Sequence, residues 1–280
     1  MSKRRYKLIF LTTVHNRKET TLSCLRFLEK FSLQNNLDCK FLIVDDGSSD
    51  GTSEELQTEF AHVELIEGNG SLFWAGGMRK GFELIKQKLY QYEYLIAFND
   101  DVNLQAEPLK EFFAVLKSTE ILVGAFASKN GGLSYGGRKR SGYWPLNFGP
   151  VSEGDLGKII EVANFNFIAI PQALLSEINL IDDYFIHNGA DYDFSLRAKN
   201  SNYPVRMFSQ PLGVAERNSP SNTSADPALS ILKRLQKLIS AKEYPIRQRF
   251  IFCRKYGGKS WVFWFFRPYI GFFIKLLRKS

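Results

Sequence analysis

Short apolar runs alternate with helical segments along the first half of the chain, and this alternation constrains the fold more than any other feature. The apolar runs cover residues 8–14, 39–44, 63–66 and 94–98. Each run has the length of a strand and is followed by polar or glycine-rich residues. Apolar residues recur at helical spacing between the runs, as in residues 16–31. This order predicts an α/β fold with a doubly wound, mostly parallel sheet and flanking helices.

The alternation is looser in the second half of the chain. Residues 129–151 are rich in glycine, tyrosine and basic residues, and we predict a long mobile loop there. Its basic run, residues 138–140, either contacts a phosphate or is a solvated surface. The remaining predicted elements are a helix over residues 107–118, a strand over 121–127, a strand over 159–170 and a helix over 171–178.

Polar clusters follow three of the predicted strands, at residues 12–17, 45–50 and 99–101. Because ligands bind at the carboxyl ends of parallel strands, we expect these clusters to share one site. Asp100 and Asp101 are adjacent carboxylates, which repel each other unless positive charge lies nearby. A hard divalent cation, Mg²⁺ or Mn²⁺, shared with substrate phosphates would supply that charge. The alternative is a helix cap or turn.

Several nucleotide-binding and hydrolytic motifs are missing from the sequence. The turn after the first strand contains no glycine, which excludes a dinucleotide-binding fingerprint, and no Walker-type lysine loop is present. The sequence also has no Gly-x-Ser-x-Gly elbow, which argues against an α/β-hydrolase. The Asp-Asp-Gly-Ser run follows the second strand with a spacing that does not fit an aspartyl-phosphate phosphatase.

Charge divides the chain into two parts. Residues 226–280 contain 13 Lys or Arg and 2 acidic residues, whereas residues 1–225 contain 24 basic and 27 acidic residues. Such asymmetry predicts an anionic partner for the C-terminal part, either a membrane surface or nucleic acid, unless the region is a solvated pair of basic helices. Three widely spaced cysteines and a short apolar run after the basic residues 1–7 predict a reduced, cytoplasmic protein.

Residues 261–279 are aromatic and basic, and Arg267 and Pro268 interrupt their apolar run. A transmembrane helix needs about 20 apolar residues, so we expect this segment to lie in the headgroup plane instead. Residues 229–239 form a second predicted amphipathic helix. Packing on the rest of the chain or on a second subunit is the alternative.

Four blocks of the sequence resemble the family 2 glycosyltransferases, which have the GT-A fold. The blocks are residues 13–17, 44–52, 98–102 and 189–197, and the resemblance extends over residues 7–217. It implies a GT-A catalytic domain over residues 1–225, with a nucleotide-binding half (7–102) and an acceptor-binding half (103–225). Residues 226–280 then form a basic membrane-association region.

The resemblance implies a role for each matching residue. Asp191 would be the catalytic base, and Asp101, helped by Asp100, would bind Mn²⁺ or Mg²⁺. The implied donor-binding residues are Thr13, His15, Arg17, Asp45, Asp46, Trp74, Gly76, Gly77 and Asp100, and the implied acceptor-binding residues are Asn164, Asn166, His187 and Asn188. The residues themselves leave alternatives open: Asp45 and Asp46 could form a cap and turn, Trp74 could anchor the core, and His15 and His187 could serve packing.

Three departures from the family pattern concern the site. Ala190 precedes the base where relatives carry Glu, and Asn99 takes the first position of the metal block, which leaves Asp100 and Asp101 as ligands. Glu216 and Arg217 follow the last core strand where many relatives carry His. The third protein ligand to the metal is therefore open. Asp193 and Arg197 lie four residues apart and can pair on one helical face, which favours a structural role for Asp193.

The resemblance implies inverting transfer of a sugar from a nucleoside diphosphate sugar, of UDP or dTDP type. The acceptor would be a hydroxyl of a lipid-linked acceptor or oligosaccharide in bacterial surface polysaccharide synthesis, at the inner face of the cell membrane. Residues 68–81 look most like enzymes of rhamnose-containing polysaccharides. The alternatives are a nucleotidyltransferase, which would want a glycine-rich loop after the first strand, and a non-catalytic membrane-bound scaffold. No nucleic-acid partner is expected.

Overall fold

A ten-stranded sheet organises the chain in a computed structural model that describes residues 7–217 and 219–277. Residues 1–6 of the basic start, Asn218, and Arg278 and Lys279 of the predicted membrane segment lie outside the described residues. The strands are β1 (Lys7–Val14), β2 (Asp38–Asp45), β3 (Glu64–Glu67), β4 (Tyr94–Phe98), β5 (Asn103–Leu104), β6 (Ile121–Ala127), β7 (Leu133–Tyr135), β8 (Arg138–Arg140), β9 (Phe148–Pro150), β10 (Ile159–Ile160), β11 (Phe167–Pro171) and β12 (Val205–Val214).

The sheet order is β10-β12-β6-β11-β4-β1-β2-β3, with β5 paired to β12 and β7 paired to β6, and β8 and β9 form a separate hairpin. This arrangement confirms the predicted α/β class. Strands β4, β1, β2 and β3 are all parallel, so their carboxyl ends share one edge. Strand β11 runs antiparallel between β4 and β6, and β12 is parallel to β6. The helices are α1 (Lys18–Gln34), α2 (Thr52–Glu59), α3 (Phe73–Gln87), α4 (Ala106–Ala114), α5 (Gln172–Glu177), α6 (Ala190–Asn200), α7 (Ile231–Leu238), α8 (Ile246–Tyr256) and α9 (Trp261–Leu277).

Alternating residues of each central strand fill two apolar layers, one on each face of the sheet. In β1, Phe10 belongs to one layer and Leu11 to the other. Phe112 of α4 packs edge-on against Phe167 of β11, with ring centroids 5.5 Å apart. Much of the phenylalanine content is therefore in the core, and the strands that carry the polar clusters are rigidly held.

Three sequence predictions about the second half need correction. Residues 129–151 contain β7 and the β8–β9 hairpin and are not a structureless loop; their strands are only three residues long and carry no apolar alternation. The predicted strand over 159–170 divides into β10 and β11 because the residues between them leave the sheet. Helix α4 ends at Ala114, four residues before its predicted end.

Helix α9 continues through Pro268, one of the two residues that interrupt the apolar run of the sequence. Proline has no amide hydrogen, so the carbonyl of Trp264 loses its normal helical donor. The guanidinium of Arg249, in α8, donates to that carbonyl and to the carbonyl of Phe265, the latter at 3.0 Å. No helix of residues 7–217 and 219–277 has the length and apolarity needed to cross a membrane.

The C-terminal helices are anchored to the rest of the chain through α6. The buried carboxylate of Asp193 accepts hydrogen bonds from Lys255 Nζ at 3.0 Å and from the Tyr256 hydroxyl at 2.8 Å. The amide of Asn188 donates to the carbonyl of Ala241 at 3.3 Å. Part of the C-terminal region therefore packs on the sheet domain, which was the alternative to a purely membrane-facing segment.

Candidate active site

A cleft of about 1410 Å³ lies at the carboxyl ends of the parallel strands. One side is formed by the residues that follow β1, β2 and β4, and the start of α6 lies opposite. The third side, here called the C-terminal wall, is formed by cleft-lining residues between Thr223 and Lys275. The predicted site residues that line the cleft are Thr13, His15, Arg17, Asp46, Trp74, Asp100, Asp101, Asn164, Asn166, His187, Asn188 and Asp191.

Asp100 and Asp101 are bridged by a single arginine. Nη1 of Arg17 lies 3.0 Å from a carboxylate oxygen of each aspartate. The hydroxyl of Thr21 donates to the other oxygen of Asp100 at 2.7 Å. Burial raises the pKa of Asp100, and these partners act against that rise. The positive charge that the pair requires is therefore supplied in this structure by Arg17.

The two carboxylates fit a divalent cation as a partial ligand set. Their oxygens already converge on one positively charged atom, and hard oxygen ligands are what Mg²⁺ and Mn²⁺ prefer. Glu216 is not a third ligand, because it accepts from the Lys129 amide at 2.5 Å and is not among the cleft residues. No group of three potential metal ligands occurs in the part of the chain that the structure describes. A cation here would take its other ligands from phosphates and water.

Asp46 lines the cleft and also organises the loop that leads into α3. One carboxylate oxygen accepts from the amides of Gly70 and Leu72, at 2.9 and 3.2 Å, and the other accepts from the amide of Phe73 at 2.8 Å. Phe73 has φ 53°, a left-handed conformation that is uncommon for a bulky residue. The predicted nucleobase contact would therefore have to use the remaining acceptor capacity of Asp46.

Asp45 and the two α3 glycines do not line the cleft, which corrects three predictions. Asp45 is buried, and its carboxylate accepts from the Ser48 amide at 2.9 Å and from the Ser53 hydroxyl, so it stabilises the turn that leads into α2. A Cβ on Gly77 would lie 2.3 Å from Cγ2 of Thr13. Gly77 thus allows α3 to pack closely on β1, and Gly76 faces Leu72 of its own helix turn.

Asp191 lies in the first turn of α6, which begins directly after a left-handed Gly189 with φ 85°. One carboxylate oxygen accepts from the Tyr192 amide at 2.9 Å, and Asn164 Nδ2 lies 3.5 Å from the other. Burial raises the pKa of Asp191 to about 6, against the opposing effect of these hydrogen bonds and of Arg138. A carboxylate with that pKa can accept a proton at neutral pH.

Asp193, two residues further on, has a structural role. Its carboxylate pairs with Nε of Arg197 at 2.6 Å, the predicted i,i+4 pair. Burial acts to raise its pKa, but the charge of Arg197 and hydrogen bonds from Arg197, Lys255 and Tyr256 lower it. Asp193 is therefore ionised and fixed away from the reacting groups.

Two polar ring atoms along the cleft have no hydrogen-bond partner among the described residues: Nε1 of Trp74 and Nδ1 of His187. Burial, with the nearby charges of Lys242 and Arg17, lowers the pKa of His187 to about 4, so its ring is neutral at pH 7. Trp74 also packs edge-on against Phe165, with centroids 5.5 Å apart. Each ring combines a packing contact with a buried polar atom that no described residue bonds.

Sequence reasoning missed most of the C-terminal wall. Its basic and aromatic content was the available signal, but that content favoured a membrane-facing segment over one that packs on the rest of the chain. On the β8–β9 hairpin, Arg138 alone of the basic run lines the cleft, where its Nε donates to the Tyr192 hydroxyl at 2.7 Å. Lys139 and Arg140 instead pair with Asp155 and Glu161.

Residues 10–177 match the family model described as Glycosyl transferase family 2. The chain belongs to glycosyl transferase family 2. The match covers the strands that carry Asp46, Asp100 and Asp101, and it ends before Asp191. The assignment of the base in this family 2 glycosyltransferase therefore depends on the cleft geometry.

Solved structures with the same fold are glycosyltransferases of GT-A type. The mannosyltransferase PcManGT from Pyrobaculum calidifontis, solved with GDP-Man and Mn²⁺, is 12% identical with a TM-score of 0.54, over 91% of this chain and 66% of that one. GalNAc-T7, solved with UDP, GalNAc and Mn²⁺, is 9% identical with a TM-score of 0.56, over 91% and 51%. S. aureus TarS 1-349 is 16% identical with a TM-score of 0.52, over 84% and 69%.

The family 2 chain thus spans 51% to 69% of the lengths of these structures. At such identities the likeness establishes the fold alone. Comparison with curated proteins gave no match. Family membership favours the glycosyltransferase interpretation over the nucleotidyltransferase alternative.

Proposed function

We propose that this family 2 member is an inverting, metal-dependent glycosyltransferase. It transfers a sugar from a nucleoside diphosphate sugar, of UDP or dTDP type, to a hydroxyl of a lipid-linked acceptor or oligosaccharide in bacterial surface polysaccharide synthesis. The observation that carries the proposal is that the Asp100–Asp101 pair and the raised-pKa Asp191 line one cleft. The cleft would therefore hold the diphosphate group near the Asp100–Asp101 pair and offer Asp191 as the proton acceptor.

The donor side uses the residues after β1, β2 and β4. A bound Mn²⁺ or Mg²⁺ would neutralise the charge that develops on the leaving diphosphate. Asp100 and Asp101 would hold that ion, and Arg17, released from the pair, would be free to contact a phosphate oxygen. Trp74 Nε1, which has no partner within residues 7–217 and 219–277, would donate to a sugar hydroxyl.

Asp191 would take the proton from the acceptor hydroxyl as its oxygen attacks the anomeric carbon. Attack from the face opposite the diphosphate gives inversion in a single displacement. Asn164 and His187 flank this position and would orient the acceptor. The burial that raises the pKa of Asp191 makes it a better proton acceptor than an exposed aspartate.

Thermal-shift titration tests the donor part of the proposal. UDP, dTDP and GDP would each be added with and without Mn²⁺, and one of them should raise the melting temperature only when the metal is present. An Asp101→Asn variant should lose the metal-dependent part of the shift. If none of the three stabilises the protein under either condition, the donor class is wrong.

We also propose peripheral attachment to the inner face of the cell membrane through α9. Phe263, Phe266, Ile270, Phe273 and Ile274 are 44% to 59% exposed, and they follow one another at helical spacing; this set is called the apolar stripe. Exposed aromatic and aliphatic residues on a basic helix are typical of an interfacial segment.

Liposome flotation tests this attachment. Serine substitution of Phe266, Ile270 and Phe273 should abolish flotation with vesicles that contain phosphatidylglycerol. The control is the same substitution at Leu33, Leu89 and Val115, which are also exposed but lie elsewhere on the surface. Equal flotation of the two variants would reject the apolar stripe as the attachment surface.

A further inference from the structure

The C-terminal wall carries more positive charge than the chemistry of sugar transfer uses. Its basic residues are Arg234, Lys242, Arg249, Arg267 and Lys275, and its acidic residue is Glu243. The carboxylate of Glu243 is engaged by the amide and hydroxyl of Ser224, at 2.7 and 2.5 Å. The wall therefore presents an excess of cations to the cleft.

These cations differ in how far they are already committed. Arg249 is fixed by carbonyls of α9, and Arg234 donates to the Ser224 carbonyl at 2.8 Å. Arg267 stacks over the ring of Trp264 at 5.0 Å. Lys242 and Lys275 have no side-chain hydrogen bond or ion pair with any residue that the structure describes. Their ammonium groups are available to an anion.

A buried polar group without a partner among the described residues lines the same wall. Gln248 of α8 is 6% exposed and lines the cleft, and its Oε1 has no hydrogen-bond partner among residues 7–217 and 219–277. A buried amide oxygen without a hydrogen-bond partner is unfavourable, because it has lost its hydrogen bonds to water. A ligand that offers a hydroxyl donor would remove that cost, so Gln248 marks a polar subsite within the wall.

Helix α9 separates this subsite from the apolar stripe. Trp264, Pro268, Phe272 and Lys275 face the cleft, whereas the apolar stripe is exposed on the other side of the same helix. An amphiphile could thus hold its anionic group in the cleft while its chain follows α9 outward. The cleft of about 1410 Å³ also exceeds the roughly 300–1,000 Å³ of a typical single-ligand pocket.

We propose that the C-terminal wall binds the phosphate head group of a lipid-borne sugar acceptor. Lys242 and Lys275 contact the phosphate, and Gln248 accepts from a hydroxyl of the first sugar. The apolar chain leaves the cleft along α9 toward the apolar stripe. This assignment rests on the proposed function, because it deepens the acceptor side of the same cleft.

Isothermal titration of the full chain with dodecyl phosphate tests the subsite. Lys242→Gln with Lys275→Gln should weaken dodecyl phosphate binding at least about ten-fold, as expected for the loss of charge-assisted hydrogen bonds. The control is Lys233→Gln with Lys259→Gln, which removes the same charge from exposed lysines outside the cleft. Binding by the control should match the original chain.

Two further measurements distinguish an amphiphilic phosphate from free phosphate and from the membrane surface. Inorganic phosphate should bind more weakly than dodecyl phosphate, and flotation with phosphatidylglycerol vesicles should be equal for the two lysine pairs. The proposal is overturned if both pairs lose dodecyl phosphate binding equally, if inorganic phosphate binds as tightly, or if the cleft pair loses UDP binding instead. The Asp191→Asn variant should bind dodecyl phosphate as the original chain does. A failure of the catalytic proposal would therefore appear in turnover assays and not in this binding assay.

Discussion

Neighbouring aspartates of this cleft have different roles, and side-chain direction decides which role each has. Asp45 accepts a hydrogen bond from Ser53 in the first turn of α2, whereas Asp46 faces the cleft and bonds the loop before α3. Asp191 faces the cleft, whereas Asp193 faces the C-terminal helices. The sequence motif identifies both pairs. For Asp45 and Asp46 it could not say which member contacts a ligand, because that depends on strand register and helix phase.

Exchange of each α6 aspartate for asparagine should separate catalysis from stability. Asp191→Asn should abolish transfer without lowering the melting temperature, because it removes a charge whose burial is unfavourable. Asp193→Asn should destabilise the fold by about 3 kcal/mol, because Arg197 and Lys255 lose their buried partner. Chemical denaturation measures the change in stability, and product formation measures the change in turnover. Loss of stability in Asp191→Asn with normal turnover would reverse the two assignments.

The pH dependence of turnover should follow Asp191. Its folded pKa is raised to about 6, so its ionised form is lost as the pH falls through that value. Since the base must be ionised, kcat/KM, which reports the unliganded enzyme, should fall about ten-fold per unit below pH 6 and be flat above it. The profile is measured with donor and acceptor well below saturation. A rate that stays constant down to about pH 5 would indicate a base with an ordinary aspartate pKa.

Arg17 should compete with the metal for the Asp100–Asp101 pair. Its guanidinium bridges both carboxylates and is 43% exposed, so its removal should raise Mn²⁺ affinity by about three- to ten-fold. Electron paramagnetic resonance of Mn²⁺ with Arg17→Gln, in the absence of nucleotide, measures this directly. Arg138→Gln, a cleft arginine not bonded to the pair, is the control. Unchanged or weaker Mn²⁺ binding by Arg17→Gln would contradict the competition.

At the scale of elements, α9 depends on a contact that its own sequence does not reveal. Pro268 lies inside the helix, and a long-range donor, Arg249, bonds the carbonyls of Trp264 and Phe265. Sequence position gives no indication of such a partner, because α8 and α9 meet only in the folded chain. The β8–β9 hairpin was missed for a related reason, since its short strands lack apolar alternation.

A double-mutant cycle tests the link between Arg249 and Pro268. Arg249→Met should destabilise the protein by about 1–3 kcal/mol, because buried carbonyls lose their donor. Pro268→Ala restores an amide that can donate to the Trp264 carbonyl, so Arg249→Met should cost less than half as much in that background. Urea unfolding of the four variants measures the coupling. Additive costs would show that Arg249 contributes through some other contact.

For the whole molecule, local pattern predicted the sheet and the donor side of the cleft. The parallel strands β1 to β4 each contain a short apolar run, and the polar residues after them converge because parallel strands share one edge. The C-terminal wall could not be predicted in this way. Its position depends on contacts such as Asp193 with Lys255, which join residues far apart in sequence. The predicted membrane segment therefore has two faces, one of which completes the cleft.

Turnover of nucleoside diphosphate sugars tests most directly whether this cleft is a sugar-transfer site. A panel of UDP-, dTDP- and GDP-sugars would be incubated with the full chain, with and without Mn²⁺, and release of nucleoside diphosphate recorded. We predict that one donor is turned over only with metal, and that Asp101→Asn and Asp191→Asn each lower the rate at least about 100-fold. Asp183→Asn, whose side chain is 96% exposed, should behave as the original chain. The account is contradicted if no donor is turned over, or if Asp191→Asn retains the full rate.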